Sequence, residues 1–331
     1  MAESRGVMVH GEIADGKLAP IALELIGAGS RLAENLEQEL SVVLIGSNIA
    51  GLAQEAIAYG ANKIYVVDDP ILKDYLTDSY LMVMDKVTKL VMPQILLLGQ
   101  THTGRDLTPR LAFRLNTAAT LDCVALAIDP ASKRLLQTKP VFGGNAQSVQ
   151  FCQTDPQIAT IRTKAMAPAV RDANRHGEVI NVLAGIDPAS VRTRVLDRKI
   201  EAVAEIKLED ARVIVTGGRG IGGPDGFKQL EELARILKGT VGSSRPPCDN
   251  KWVQDSLQVG LTGKIVSPEL YIAVALSGSS QHLSGCSGSK VIVAINNDPE
   301  ANIFKVAHFG IVADWKKALP AFTAKVKNLV G

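Results

Sequence analysis

The sequence predicts an α/β protein with two domains, each built around a parallel sheet. With 331 residues, the chain is long enough for two separate cores. Short apolar runs typical of buried strands alternate with stretches of helical periodicity in both halves, which is the pattern of strand–helix–strand units. A glycine count of 29 with an aromatic fraction of 4% suits many tight turns between strands and helices.

The N-terminal domain begins with four such units, which predict a doubly wound, mostly parallel sheet. Each apolar run is followed by an amphipathic segment, and the clearest of these predicts a helix over residues 20–36. The predicted strands of this series are 7–13, 41–47, 63–69 and 94–100.

From about Leu121 the pattern changes to strand after strand. These runs predict hairpins that add antiparallel strands at the edge of the N-terminal sheet. Residues 191–210 are charged and contain no strong apolar run, so they predict the passage between domains. We therefore expect an N-terminal domain over 1–205 and a C-terminal domain over 206–331.

The C-terminal domain repeats the alternation and predicts a second doubly wound parallel sheet. In an open parallel sheet, ligands bind beyond the carboxyl ends of the strands, so the residues after each strand are candidate binding residues. Predicted helices cover about 225–237 and the end of the chain. The predicted strands are 212–218, 240–244, 270–276, 290–296 and 310–314.

Charge and cysteine usage argue against several classes of function. Lys+Arg 36 against Asp+Glu 34 indicates no field for binding nucleic acid or a membrane surface. The four cysteines are scattered without metal-ligand spacing, so we expect no metal site and a reducing compartment. We expect a cytoplasmic protein without membrane insertion, because the sequence shows neither a signal segment nor an apolar run long enough to span a bilayer.

The first strand end of the C-terminal domain carries a glycine-rich loop. Gly218, Gly220 and Gly223 form a G-x-G-x-x-G arrangement between a predicted strand and a helix, where the backbone can approach a phosphate. A nicotinamide dinucleotide site would also need an acidic residue at the next strand end, but the sequence there reads Gly242 to Arg245. Because an arginine at that position suits a 2′-phosphate, an NADP-dependent oxidoreductase stays an alternative.

The later strand ends are polar as well, and one of them carries a histidine within the segment SGSSQHLSG. Polar residues at five strand ends in series predict one long ligand of the dinucleotide type, laid across the edge of the sheet. The polar residues after the glycine-rich loop and Arg245 are Thr262, His282, Asn296 and Asp314.

Five blocks at these strand ends are VTGGRG, VGSSR, QVGLTGKIVSPELYIAVALSGSSQHLSG, VIVAINNDPEANIF and FGIVADW. In their order, their spacing and their amino-acid residues, these blocks resemble the C-terminal FAD-binding domain of the electron-transfer flavoprotein α-subunit family. A looser resemblance covers the first domain, in GKLAPIALELIGAGSRLA and DLTPRLAFRLNTAATLDC. The resemblance implies FAD as the cofactor.

The resemblance also implies an electron-carrier subunit rather than a stand-alone enzyme. The family works as a heterodimer with a β subunit, which we expect to dock on the N-terminal domain. It takes electrons from flavin dehydrogenases, such as the acyl-CoA dehydrogenases of fatty acid β-oxidation, and passes them to a quinone oxidoreductase or another acceptor. Two alternatives stay open: the FAD-bearing half of an electron-bifurcating NADH-dependent complex, and an NADP- or FAD-dependent oxidoreductase.

Matching positions imply a role for each site residue. Arg219 and Ser244 would bind the phosphates or the ribityl chain, and Asn296, Asp314 and Trp315 would bind the adenosine part. Arg245 would lie over the flavin ring, with the Thr262 hydroxyl at N5. The implied FAD contacts are Arg219, Ser244, Arg245, Val259, Gly260, Leu261, Thr262, Ser277, Gly278, Ser279, Ser280, Gln281, His282, Asn296, Asp314 and Trp315.

His282 is expected at the pyrimidine edge of the flavin ring, where reduction places negative charge. A histidine can donate a hydrogen bond there when neutral, and it can also become a cation near neutral pH. With Arg245 and Thr262 it forms the expected redox-active set. Leu261 departs from the family, which commonly has Gln at this position, so a side-chain contact is lost while the backbone contacts of the loop survive.

Overall fold

The computed structural model describes residues 4–144, 146–197 and 207–330. The chain divides into two compact units, one of Met1–Pro140 with Gln147–Arg198 and one of Val141–Ala146 with Lys199–Gly331. The domain boundary predicted between residues 205 and 206 lies within 198–206, outside the described residues.

The N-terminal unit alternates strands and helices over most of its length. Short 3-10 turns at Ala50–Leu52, Pro70–Leu72 and Pro188–Ser190 join some of them, and a further 3-10 turn at Phe142–Gly144 lies in the segment Val141–Ala146 of the other unit. The elements are β1 (Val7–His10), β2 (Ile13–Ala14), β3 (Lys17–Leu18), α1 (Pro20–Leu36), β4 (Leu40–Gly46), α2 (Ala53–Ala58), β5 (Lys63–Asp68), α3 (Thr77–Val91), β6 (Ile95–Gly99), α4 (His102–Arg114), β7 (Ala119–Cys123), β8 (Ala125–Ile128), β9 (Leu135–Val141), β10 (Ala146–Gln150), β11 (Gln157–Ile161) and β12 (Glu178–Asn181).

A parallel sheet forms the centre of this unit. Within the described residues it has seven strands in the order β12-β5-β4-β1-β6-β11-β7. The strands β1, β4, β6 and β11 are buried along their whole length, as continuous apolar runs between two helical layers should be. Residues of α1 and α2 form the core on one face of the sheet, and residues of α3 and α4 form the core on the other face.

The antiparallel strands predicted for the edge of this sheet were placed wrongly. β7 does join the edge, but it pairs in parallel with β11. β8, β9 and β10 form a separate three-stranded sheet, in which β8 and β9 are antiparallel. Consecutive strands in a sequence usually indicate hairpins. Every residue of β11 is buried, however, so both faces of this strand must be covered, as they are inside the parallel sheet between its helical layers. In β8, exposed and half-buried residues alternate, which suits a sheet with one face in solvent.

The C-terminal unit contains a second parallel sheet. Its elements are β13 (Val213–Gly217), a 3-10 turn (Arg219–Ile221), α5 (Pro224–Ile236), β14 (Thr240–Ser243), α6 (Arg245–Asp249), a 3-10 turn (Asp255–Leu257), β15 (Leu270–Val274), α7 (Ser280–Cys286), β16 (Val291–Asn296), a 3-10 turn (Asn302–Lys305), β17 (Phe309–Val312) and α8 (Trp315–Val330).

Strand order in this sheet positions the site. The five strands found in the described residues run in the order β14-β13-β15-β16-β17, and every neighbouring pair is parallel. The chain therefore moves outward from β13 in one direction to β14 and in the other direction to β15, which makes the carboxyl ends of β13 and β15 a crevice. Residues of α5 and α8 pack on one face and residues of α7 on the other.

The helix α5 shows how the sequence fixes a local element. Pro224 begins the helix, where its missing N–H costs no hydrogen bond, and Asp225 places negative charge in the first turn. Phe227, Leu230 and Leu233 are buried at intervals of three residues and form one face against the sheet.

Across the described ranges, no helix combines the length and apolar character needed to cross a bilayer. The same ranges contain no group of three or more His, Cys, Asp or Glu side chains placed to hold a metal ion. All four cysteines are buried and free.

Candidate functional site

A cavity of about 600 Å³ lies at the carboxyl edge of the C-terminal sheet. Its wall contains residues that follow each of the five strands, which is where an open parallel sheet binds its ligand. The sequence-predicted residues on this wall are Arg219, Ser244, Ser277, Gly278, Ser279, His282, Asn296, Asp314 and Trp315.

The loops after β13 and β15 contact each other closely at the crevice. Ala275 has a left-handed backbone with a φ of 52°, and its carbonyl accepts a 3.1 Å hydrogen bond from the Gly220 N–H. A Cβ on Gly218 would lie 2.2 Å from the Ala275 oxygen, and one on Gly220 would lie 2.9 Å from it. Glycine is therefore required in this loop by backbone packing. The G-x-G pattern alone could not separate this packing from approach to a phosphate.

His282 is the most informative residue on the wall. It lies in α7, is 5% exposed, and its Nε2 is 2.9 Å from the Tyr271 hydroxyl. The Nδ1 atom is buried and has no hydrogen-bond partner among the described residues. Burial lowers the pKa of His282 to about 4, and a nearby backbone group of Val259 opposes this only in part. The imidazole is therefore neutral at neutral pH, so the cationic form considered from the sequence is not favoured.

Tyr271 holds the other end of this contact. The side chain is fully buried in β15, and desolvation raises its pKa well above the ordinary value, so the hydroxyl keeps its proton. A protonated hydroxyl can donate to His282 Nε2, which would leave the histidine proton on Nδ1, the nitrogen that has no partner.

Asn296 and Trp315 brace the loops of the wall. The Asn296 side-chain amide donates to the Leu276 carbonyl at 2.8 Å and accepts from the Asp298 N–H at 3.0 Å. Trp315 Nε1 donates to the Gly220 carbonyl at 3.0 Å. These bonds connect the ends of β13, β15, β16 and β17, so both side chains position the wall even though each also faces the cavity.

The charged residues of the wall have both signs. Arg219 is exposed at the cavity, and no hydrogen bond or ion pair to its guanidinium is found within the described residues. Lys316 supplies a second cation, and Asp298 and Asp314 supply carboxylates. A wall of this kind can bind phosphates through the cations and hydroxyl groups through the carboxylates.

Arg245 lies outside this wall, although the family resemblance implies that it contacts the flavin ring. It begins α6 with a side chain that is 66% exposed, and its Nε lies 3.2 Å from an Asp249 oxygen. Ser280 and Gln281 are exposed in the first turn of α7 and are likewise absent from the wall.

The loop around Thr262 is also outside the wall, but it is fixed to α7 beside it. The Leu261 N–H donates to the Gln281 carbonyl at 2.8 Å, and Gly260 packs so closely that a Cβ on Gly285 would lie 2.4 Å from its nitrogen. Thr262 is exposed, and its hydroxyl accepts a 2.9 Å hydrogen bond from Gln258. Val259 is buried at the base of this loop.

Several residues that contribute to the wall were not identified from the sequence. Asn297 and Asp298 directly follow a predicted residue and could have been included for that reason. Ala275 carries no sequence signal, because alanine rarely adopts a left-handed backbone. Tyr271 lies behind the wall, inside the predicted strand 270–276, and only the folded structure brings its hydroxyl to His282.

Comparison with known proteins identifies two family domains in the chain. Residues 7–185 match the model of the electron transfer flavoprotein domain, and residues 207–287 match that of the electron transfer flavoprotein FAD-binding domain. A protein of Thermoanaerobacterium thermosaccharolyticum named electron transfer flavoprotein subunit alpha is 44% identical over 99% of this chain and all of its own length. A protein of the same name from Clostridium acetobutylicum is 41% identical over 98% of both chains, and the protein FixB of Clostridium saccharobutylicum is 39% identical over 100% of this chain and 98% of its own.

Proposed function

The chain belongs to the electron transfer flavoprotein family, and from that membership we propose that it is the FAD-carrying α subunit of an electron carrier. Both family domains occur in one chain, and relatives of nearly the same length carry the subunit name. The observation that supports the location of the site best is His282, a buried histidine on a cavity wall with one ring nitrogen unpaired.

The residues of the cavity fit FAD. The cavity follows all five strand ends, which suits an extended ligand, and its volume of about 600 Å³ is in the usual range for cofactor sites. Arg219 and Lys316 would hold the phosphates, and the Asp314 carboxylate would accept hydrogen bonds from ribose hydroxyls. The buried, unpaired nitrogen of His282 would gain a partner that the described residues do not supply.

When bound, FAD supplies the redox chemistry, because its flavin ring takes up and returns electrons. The residues of this chain bind and orient it and set its potential. His282 would hold a proton on Nδ1 toward the pyrimidine edge of the ring, while Tyr271 fixes the opposite nitrogen. A donor that is already in position favours negative charge on that edge without reorganisation.

Arg245 and the loop that carries Thr262 are proposed to contact the part of FAD that extends beyond the cavity. Both flank the wall, and both have exposed polar groups. For Arg245 to lie over the flavin ring it would have to leave Asp249, which is a small cost because a solvent-exposed ion pair contributes little stability.

Helices on both faces of each parallel sheet support the proposal that both units are doubly wound, with the ligand at the point where strand order reverses.

We further propose that the N-terminal unit docks a β subunit. The carrier would then work in the cytoplasm, taking electrons from flavin dehydrogenases such as acyl-CoA dehydrogenases and passing them to a quinone oxidoreductase or another acceptor.

The decisive experiment measures the reduction potential of bound FAD in wild type and in His282→Ala. A hydrogen bond to a group that becomes charged contributes about 1.5–3 kcal/mol. Its loss should lower the potential of the first electron by about 60–130 mV. An unchanged potential with FAD still bound would remove His282 from this role.

The matched control is His176→Ala, which removes an exposed histidine from the other unit. It should leave the potential unchanged. Flavin is counted per complex after co-purification of the chain with a β subunit. A colourless complex after incubation with excess FAD and desalting would contradict the proposed function, and two flavins would indicate the bifurcating alternative.

A further inference from the structure

A second cavity, of about 360 Å³, lies in the N-terminal unit at the carboxyl edge of its parallel sheet. His10 ends β1 and Gly46 ends β4, and both line this cavity. Thr103, which lies in the first turn of α4 after β6, also lines it. In the sheet, β4 and β6 lie on opposite sides of β1, so the cavity is beside the point where the strand order reverses. Open parallel sheets bind ligands at this point.

His10 indicates that this cavity lacks a partner for a buried polar group. The side chain is 2% exposed, and its Nδ1 makes no hydrogen bond within the described residues. Burial lowers the pKa of His10 to about 4, so the ring is neutral at neutral pH and can pair with a neutral ligand. Buried polar atoms are nearly always paired, so an unpaired one on a cavity wall points to a ligand.

Glu12 offers hydrogen-bond acceptors to the same cavity. One carboxylate oxygen accepts from the Thr101 hydroxyl at 2.8 Å, and the Thr101 oxygen in turn accepts the Gly104 N–H at 3.1 Å, which fixes the pair. Desolvation raises the pKa of Glu12, so further donors from a ligand would stabilise its charged form. An acidic residue near a strand end is the usual partner of ribose hydroxyls in parallel sheets.

The loop after β4 is not arranged to bind phosphate. The backbone N–H groups of Asn48, Ile49 and Ala50 all donate to the Asp68 carboxylate, at 2.7, 2.9 and 3.2 Å. They are therefore not available to an anion. Among the described residues on the cavity wall, Lys73 is the only lysine or arginine, whereas both Glu12 and Asp15 are acidic.

Apolar side chains line the cavity from both faces of the sheet. Ile49 and Leu52 belong to the core on the side of α1. Leu72 and Tyr80 belong to the core on the side of α3. Two apolar walls with polar groups at the strand ends suit a molecule that has a planar ring system at one end and hydroxyl groups at the other.

We propose that this cavity binds an uncharged ribonucleoside, with its ribose hydroxyls on the Glu12 carboxylate and its base between the two apolar walls. His10 pairs with a ligand hydroxyl through the ring nitrogen that the protein leaves without a partner. The site is separate from the FAD cavity and does not depend on the proposed electron-carrier function.

The test is calorimetric titration of the FAD-loaded full chain with adenosine, guanosine, cytidine and uridine. FAD keeps the C-terminal cavity occupied, so binding there does not add to the signal. At least one nucleoside should bind, and its 2′,3′-dideoxy form and its 5′-monophosphate should each bind about tenfold more weakly. Visible flavin absorption of the same sample reports separately on the proposed FAD function.

The variant Glu12→Gln keeps the size of the side chain and should weaken nucleoside binding about tenfold. Glu34→Gln, at an exposed position of α1 outside the cavity, is the matched control and should bind like wild type. Circular dichroism establishes that both variants are folded. The proposal is overturned if no nucleoside binds below roughly 1 mM, if the monophosphate binds as tightly as the nucleoside, or if Glu12→Gln binds like wild type.

Discussion

At the scale of single residues, Tyr271 determines which nitrogen His282 presents to the cavity. Its hydroxyl is 2.9 Å from Nε2, and a proton donated from it would leave the histidine proton on Nδ1. Tyr271→Phe keeps the ring volume and removes only this hydroxyl. Without it, the proton can move to Nε2, and the donor facing the flavin is lost in part of the molecules.

We expect Tyr271→Phe to lower the reduction potential of bound FAD by about 40 mV, the equivalent of a neutral hydrogen bond of about 1 kcal/mol. Nitrogen NMR of the histidines should show a shift of the His282 tautomer toward the Nε2–H form. Tyr59→Phe, in the other unit, provides the control for loss of a tyrosine hydroxyl. Retention of the wild-type tautomer would contradict this role for Tyr271.

Polar site residues that follow strands could be predicted from the sequence, whereas contacts that form only in the folded chain could not. His282, Asn296 and Asp314 could be identified because polar side chains at the ends of apolar strands, or in the segment that follows them, are visible in the sequence. The left-handed Ala275 and the contact between Tyr271 and His282 depend on backbone geometry and tertiary packing. Nothing local in the sequence encodes either of them.

At the scale of elements, the contact between α7 and the loop around Gly260 decides whether the second set of proposed FAD contacts is held in place. A Cβ on Gly285 would lie 2.4 Å from the Gly260 nitrogen and 2.5 Å from its Cα. These are backbone atoms, so they can yield only if the loop moves. In a free helix, alanine would be favoured over glycine by about 0.5–1 kcal/mol.

The clash lowers stability and the higher helix propensity of alanine raises it; we expect the clash to be the larger of the two effects. We expect Gly285→Ala to lower the free energy of unfolding by about 1–3 kcal/mol, the usual cost of overpacking, and to weaken FAD binding. Urea unfolding and FAD titration measure both quantities. Gly51→Ala is the control, because a Cβ there meets nothing within 4 Å, and it should leave both unchanged or slightly increase stability. A more stable Gly285→Ala protein with wild-type FAD affinity would show that the loop is not held by α7.

The positions of helices and strands could be predicted where apolar runs and turn residues marked their ends, but the pairing between strands could not. The strands of the C-terminal unit lie within the predicted ranges to within a residue or two, because each is a short apolar run bounded by turn residues. The predicted pairing of β7 and β8 was wrong; both lie at the start of a run of strands with no α-helix between them, which suggests hairpins. Which strand enters the large sheet depends on which faces the helices cover, and this is a property of the whole unit.

At the scale of the whole molecule, each unit has its own hydrophobic core and its own cavity at the carboxyl edge of a parallel sheet. Separate cores allow each unit to unfold separately. The proposed FAD cavity lies in the C-terminal unit, so FAD should stabilise that unit directly and leave the other unit's own transition in place.

The two tryptophans make this distinction measurable, because Trp252 and Trp315 both belong to the C-terminal unit. Tryptophan emission therefore follows that unit alone, whereas far-ultraviolet circular dichroism follows both. At FAD concentrations about 100 times the dissociation constant, the transition seen by tryptophan should gain about 2.7 kcal/mol. A part of the dichroism change should stay at the midpoint measured without FAD. If both probes instead move together by the same amount, the two units unfold in one cooperative transition, which would contradict this prediction.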